Sequence, residues 1–172
     1  MRLRVEFRLL LKPSGSKWSA VVEAPNGETR TVYFLYSSPP LSRQHLGALD
    51  QTALTLATAQ QLCATQGARL VFVFAPEKFR VFHAFCRFPQ KSECRNWIPN
   101  DMPARMERAV RSISADIGYL DLTPYLVEAA RRGSVPYCPA DDRWSREGHQ
   151  IAAKAINNYL LSTRESVKAS GR

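Results

Sequence analysis

An α/β fold with a short parallel sheet is the class this chain predicts, on three observations. Two runs, residues 31–36 and 69–75, are rich in apolar, aromatic and β-branched residues without a polar alternation, the pattern of strands covered on both faces. A segment with helical apolar spacing connects them, and a strand, a crossover helix and a second strand make a βαβ unit with parallel strands and a right-handed connection. A third short run, residues 119–122, follows another helical stripe and predicts a further parallel strand.

The totals set the frame. A chain of 172 residues with 45% hydrophobic content is long enough to bury one core. Twenty-four Lys and Arg against fifteen Asp and Glu leave a formal charge of +9, which favours anionic partners such as an acidic polysaccharide, nucleic acid or a lipid surface. The arginines are scattered over positions such as Arg2, Arg8, Arg105, Arg111 and Arg132, and no nucleic-acid motif accompanies them, so a solvated surface with no nucleic-acid partner is expected. No apolar run reaches the length of a membrane span, and Leu9-Leu10-Leu11 is too short for a signal-peptide core. Cys63, Cys86, Cys94 and Cys138 lack CxxC spacing and lack histidine partners at zinc-ligand distances, so neither a metal nor another cofactor is expected. Cys86 and Cys94 bracket a short polar loop, a spacing compatible with a disulfide in an oxidising compartment and equally with two free thiols.

In chain order, residues 2–11 and 18–23 are β-formers around the turn-forming cluster 12–17, which predicts an N-terminal antiparallel hairpin. A second turn falls on Pro25-Asn26-Gly27-Glu28. After the strand at 31–36 and Ser37-Ser38-Pro39-Pro40, Ser42 is placed to cap a helix carrying Leu46, Leu49, Ala53, Leu56 and Cys63, which Gly67 ends. Strand 69–75 stops at Pro76. Residues 79–97 carry aromatics at irregular spacing and read as a short helix or irregular cover on the sheet edge. Pro103 opens a helix with Met106, Val110, Ile113 and Ile117 on one face. Thr123 is expected to cap the next helix, with Asp121 a capping or turn residue, and Gly133 closes it. Ser145 then caps a last helix whose face is Ile151, Ala152, Ala155, Ile156, Tyr159 and Leu160. This divides the chain into a hairpin region, 1–30, an α/β region, 31–161, and a polar tail, 162–172, expected to fray.

The ordered set formed by residues 69–78, Tyr119-Leu120-Asp121-Leu122-Thr123-Pro124, Asp141-Asp142-Arg143-Trp144 and Gly148-His149 resembles the C-terminal half of SGNH (GDSL-type) hydrolases, in the branch of the alginate O-acetyltransferases and related sugar acetyl-transfer proteins. The resemblance spans about residues 31–160. It implies a three-layer flavodoxin-like sandwich, an acylated carbohydrate as substrate, and an export habit that points to the periplasm or cell envelope. It also implies a serine nucleophile, activated by the histidine of an Asp-x-His-Trp pattern and served by oxyanion donors.

Position by position, Asp141 matches the aspartate of that pattern and Trp144 its tryptophan, while Arg143 stands where the histidine belongs. A guanidinium stays protonated at physiological pH and cannot serve as a general base. The Gly-Asp-Ser nucleophile segment, which the resemblance would put upstream, has no counterpart in the sequence. The expected fold is therefore incomplete relative to the SGNH fold, and the expected function is that of an SGNH-like ester hydrolase or O-acyltransferase domain without its full catalytic set. A dimer, or a missing N-terminal partner segment, would cover the sheet edge left open. The alternative is a non-catalytic module that binds acidic polysaccharide or a partner protein.

Substitute residues for the absent chemistry are few. His149 is the nearest histidine to the carboxylates and a weak alternative base, with packing at the helix start as the plain reading. Ser37 and Ser38 follow a strand end, where α/β proteins place their sites, and are weak nucleophile candidates ahead of a rigid Pro-Pro. Asp141 and Asp142 make a poor cation cage on their own, and a salt bridge with Arg143 is the plain reading of all three. His45 and His83 read as surface residues. Lys78 reads as a solvated lysine, or as one facing an anionic substrate.

Overall fold

The computed structural model describes residues 18–23, 27–34 and 41–170, with side chains through 163. The elements run β1 (Ser19–Glu23), β2 (Thr29–Tyr33), α1 (Arg43–Thr65), β3 (Val71–Phe74), α2 (Lys78–Phe82), β4 (Cys86–Arg87), α3 (Met102–Ile113), β5 (Gly118–Asp121), α4 (Thr123–Arg131) and α5 (Arg146–Ser170). Two 3-10 turns, His83–Phe85 and Glu93–Asn96, flank β4. The result is a mixed α/β chain with two sheets.

The first sheet is antiparallel in the order β2-β1-β4. Its register pairs Ala20 with Val32, and both are buried, so one face of the hairpin points into the core while Thr29, Arg30 and Thr31 stay exposed. Gly27, at φ 81, supplies the left-handed residue in the connection. The hairpin expected between residues 2–11 and 18–23 lies outside the described residues on its first strand; the second strand, as β1, pairs with β2 and β4.

The second sheet is the parallel pair β3 and β5, in register from Val71 opposite Gly118 to Phe74 opposite Asp121. The expectation that strand 31–36 pairs with strand 69–75 as a βαβ unit is therefore overturned. The described part of that run belongs to β2, in the other sheet, and β3 takes β5 as its parallel neighbour. Local composition signals a strand but carries no information on its partner. The four residues of β3 are half-buried rather than covered on both faces, and no third strand joins this sheet among the described residues. On β5, a Cβ at Gly118 would stand 2.7 Å from the Tyr159 hydroxyl, so the glycine lets α5 lie close to the strand.

Helix boundaries follow the local signals more closely. Ser42 caps α1 as expected: its hydroxyl accepts the His45 backbone N–H at 3.3 Å, and His45 Nδ1 accepts the Ser42 backbone N–H at 3.0 Å, a reciprocal capping box. Gly67, at φ 63, follows its end. None of the residues of α1 is buried, and Leu54 and Leu62 are more than 60% exposed. Pro103 lies in the first turn of α3. The start of α4 is capped by Asp121, whose Oδ1 accepts the Thr123 N–H at 2.8 Å, rather than by Thr123 itself. Gly133, at φ 93, ends that helix. The tail expected to fray after 162 is helical through Ser170. Phe34, Phe79, Phe82, Leu122, Leu126, Tyr137, Ala152 and Ala155 form the centre of one core, so the irregular segment after β3 supplies core aromatics as well as cover.

Candidate functional site

Residues 136–149 form a tight hairpin-like loop that delivers the chain into α5. Tyr137 and Trp144 make an isolated antiparallel bridge, the Arg143 carbonyl accepts the Cys138 N–H at 2.9 Å, and the Pro136 carbonyl accepts the Ser145 N–H at 3.0 Å. Ser145 caps α5, its hydroxyl accepting the Gly148 N–H at 3.1 Å while donating to the Val135 carbonyl. Gly148 is required by contact rather than by dihedral: a Cβ there would lie 2.1 Å from the Pro136 carbonyl oxygen.

At the loop's tip Asp141 is closed around Arg143. Its Oδ1 accepts the Arg143 backbone N–H at 2.8 Å, and its Oδ2 accepts Nη2 at 2.7 Å and Nε at 3.1 Å. The Arg143 side chain is 79% exposed and that of Asp141 18%. Hydrogen bonding from Arg143 holds the Asp141 carboxyl below the usual carboxylate range, and the same pairing raises the Arg143 guanidinium further above its ordinary value. The sequence thus correctly read a local ion pair.

Lys78 departs furthest from its sequence reading. It is neither solvated nor facing an open substrate site, being 1% exposed at the first turn of α2. Its Nζ donates to four carbonyl oxygens, those of Tyr33 at 2.7 Å, Cys138 at 2.7 Å, Pro139 at 2.9 Å and Asp141 at 3.0 Å. The Phe34 ring centroid lies 5.9 Å from the ammonium. One buried cation therefore ties the end of β2 to the Asp141 loop. Burial pushes Lys78 down to about 8, with the Asp142 and Asp141 carboxylates pulling it back up. A second tie runs from the buried Tyr137 hydroxyl, which donates to the Pro76 carbonyl and which burial raises to about 12. The available signal in the sequence was Lys78 standing between Pro76 and the apolar Phe79, Val81 and Phe82, a context too dry for a free lysine.

The other candidates fall apart. His149 is exposed, not packed under the sheet, with its ring edge-on to Trp144 at 5.5 Å between centroids. Its backbone N–H donates to the Ser145 carbonyl as part of α5. Ser37 and Ser38 lie outside the described residues. His45 serves the α1 cap, and His83 is half-buried against Phe79 and Phe88 rather than on the surface. The four cysteines are free thiols; burial raises Cys86 to about 12 and Cys94 to about 11, far from nucleophilic thiolates at neutral pH. Among the described residues no group of three His, Cys, Asp or Glu side chains converges as a metal site, and no helix is long and apolar enough to cross a membrane.

What the geometry offers is a rigidly braced loop at a helix start, presenting one carboxylate two residues ahead of an exposed side chain and three ahead of a tryptophan that packs on Tyr137. Comparison with curated proteins and with solved structures finds no match. A family model does match, that of the SGNH hydrolase-like domain of acetyltransferase AlgX, over residues 34–172. That span contains α1 through α5, the parallel strand pair and the whole Asp141 loop, and on it the chain belongs to the SGNH hydrolase-like family of the acetyltransferase AlgX domain.

Proposed function

We propose that this chain carries the acid-loop frame of an SGNH-type sugar O-acyltransferase or carbohydrate esterase without completing its catalytic set. Asp141 takes the acid position, Arg143 stands in place of the base, and no residue among the 172 supplies the Gly-Asp-Ser nucleophile. The observation that carries the reading is the closed Asp141–Arg143 pair. A carboxylate that orients a catalytic imidazole must offer it a free oxygen, and here Oδ2 is occupied twice by a guanidinium that cannot accept a proton. The parallel β3–β5 register, with α3 packed on both strands, supports reading this part as a segment of a flavodoxin-like sandwich.

The test is a serine-directed fluorophosphonate probe together with an acetyl-ester turnover assay on the chain as it is. No adduct and no turnover above buffer are expected. A stoichiometric adduct at Ser37 or Ser38, or turnover that disappears with Arg143→Ala, overturns the proposal. The formal +9 supports a second reading, binding of an acidic polysaccharide. It ranks lower because Arg105, Arg111, Arg131 and Arg132 are each paired with a carboxylate three or four positions earlier in the chain.

A further inference from the structure

α1 packs on α3 through a half-buried side and turns its other side to solvent. Positions 51, 54, 55, 58, 61, 62 and 65 recur at intervals of three and four residues, so they form one strip along the helix, and all seven are exposed. Leu54 and Leu62 on this strip are 63% and 64% exposed. No charged residue falls between Asp50 and the end of the helix, in a chain that is 23% charged. A helix face turned to water ordinarily carries charge, and this one carries none.

The threonines make the strip drier than its composition reads. Thr55, Thr58 and Thr65 donate their hydroxyl hydrogens to carbonyls of the same helix, those of Gln51 at 3.0 Å, Leu54 at 3.2 Å and Leu62 at 2.8 Å. Each side chain then offers a methyl group and an acceptor oxygen, with its donor already spent.

The strip is also symmetric about Thr58. A two-fold axis at that position sets a second α1 antiparallel to the first, with Leu54 against Leu62, Thr55 against Gln61 and Gln51 against Thr65 of the second copy. The Gln61 amide can donate to the Thr55 oxygen, whose own hydrogen is engaged on its helix. One surface therefore matches itself in apolar and in polar groups. Charge points to the same partner. Each chain carries a formal +9, so two copies repel over most of their surface and approach at least cost through a strip without charge.

We propose that this face of α1 is the contact surface of a symmetric homodimer, the two helices packing antiparallel about Thr58. About 22 Å of strip on each copy buries less than the roughly 1,200 Å² of standard interfaces, so the dimer is weak and concentration-dependent. The assignment is independent of the acyl-transfer reading, which concerns Asp141 and Arg143.

The experiment is sedimentation velocity of the whole chain between about 10 and 500 µM, the range that populates weak complexes. The weight-average mass should climb from one chain toward two. It should climb further as sodium chloride is raised, because salt screens the repulsion between like-charged copies. Leu54→Lys sets an amine against Leu62 of the second copy and should weaken association about tenfold or more. Adding Leu62→Glu sets a carboxylate against that amine and should recover most of the loss, an effect that the antiparallel register alone provides. Both positions are exposed, so neither change disturbs the core, and circular dichroism verifies the fold of each variant. A chain that stays monomeric throughout, association that weakens with salt or is indifferent to Leu54→Lys, or a double variant as monomeric as the single one would each overturn the assignment. So would a monomer that instead sediments with phosphatidylcholine vesicles through Leu54 and Leu62, which would make lipid the occupant of the strip.

Discussion

Replacing Lys78 by methionine, which keeps the stem and removes the ammonium, tests whether this cation braces the Asp141 loop. Three N–H donors serve four carbonyls, and hydrogen bonds to a charged group contribute about 1.5–3 kcal/mol each, or roughly 5–9 kcal/mol together. Against this stands the cost of burying the charge. The fall of Lys78 from 10.5 to about 8 sets the net penalty on the charged over the neutral amine near 3 kcal/mol. The hydrogen bonds win, and Lys78→Met should destabilise the fold by about 2–6 kcal/mol at pH 7, or roughly 5–20 °C in Tm for a chain of this size. The pH dependence has a definite sign. A lysine whose pKa is lowered by folding carries its burial cost in full below pH 8 and sheds it as pH rises to 10.5, because the unfolded chain holds the extra proton across that window. The stability gap between the parent chain and Lys78→Met should therefore widen, by up to about 3 kcal/mol, between pH 8 and pH 10.5. Urea unfolding followed by fluorescence at pH 7, 8, 9 and 10 measures both quantities. A variant within about 0.5 kcal/mol of the parent at pH 7 would refute the brace. A gap that narrows with pH would refute the reasoning on charge, since folding would then favour the charged amine over the neutral one.

Two glycines give opposite predictions in the same assay. Gly148→Ala should cost about 3 kcal/mol or more, because its Cβ would meet the Pro136 backbone oxygen at 2.1 Å and the loop must open to admit it. Gly47→Ala, on an exposed face of α1 with nothing within 4 Å of the new Cβ, should stabilise by up to about 1 kcal/mol through helix propensity and a less flexible unfolded chain.

What could be read from the sequence was what is decided locally. The Ser42 cap, the Gly67 and Gly133 helix ends and the Asp141–Arg143 pair each involve residues within a few positions of one another, and each stands as read. Asp121 taking the cap from Thr123 is a displacement by two residues within the same local device. Errors begin where partners are distant. The run from residue 31 was read as a parallel neighbour of β3, but β2 pairs with β1 across five intervening residues, and β3 pairs with β5 across some forty. Lys78 was the deepest miss for the same reason. Its four acceptors lie 45, 60, 61 and 63 residues away, and a backbone carbonyl leaves no trace in residue type.

The loop's frame does not depend on the side chain at position 143, and this separates the scaffold from the chemistry. Lys78, Tyr137, Ser145 and Gly148 hold the backbone through bonds and contacts to Asp141, Pro139, Pro76, Val135 and Pro136, and none of these involves the Arg143 guanidinium, which among the described residues bonds Asp141 and is otherwise exposed. The Asp141 Oδ1 bond to the Arg143 N–H survives any substitution but proline. Arg143→His should therefore leave stability within about 0.5 kcal/mol, the range for exposed sites away from packed features. The new imidazole, beside a carboxylate and exposed, should titrate above the ordinary value of about 6.5, since the neighbouring charge favours its protonated form. Histidine Cε1–H NMR shifts followed from pH 4 to 9 give that value directly. A new imidazole titrating at or below 6.5 would mean that Asp141 turns away once the guanidinium is gone, and that the carboxylate's place in the frame is set by Arg143 rather than by the fold.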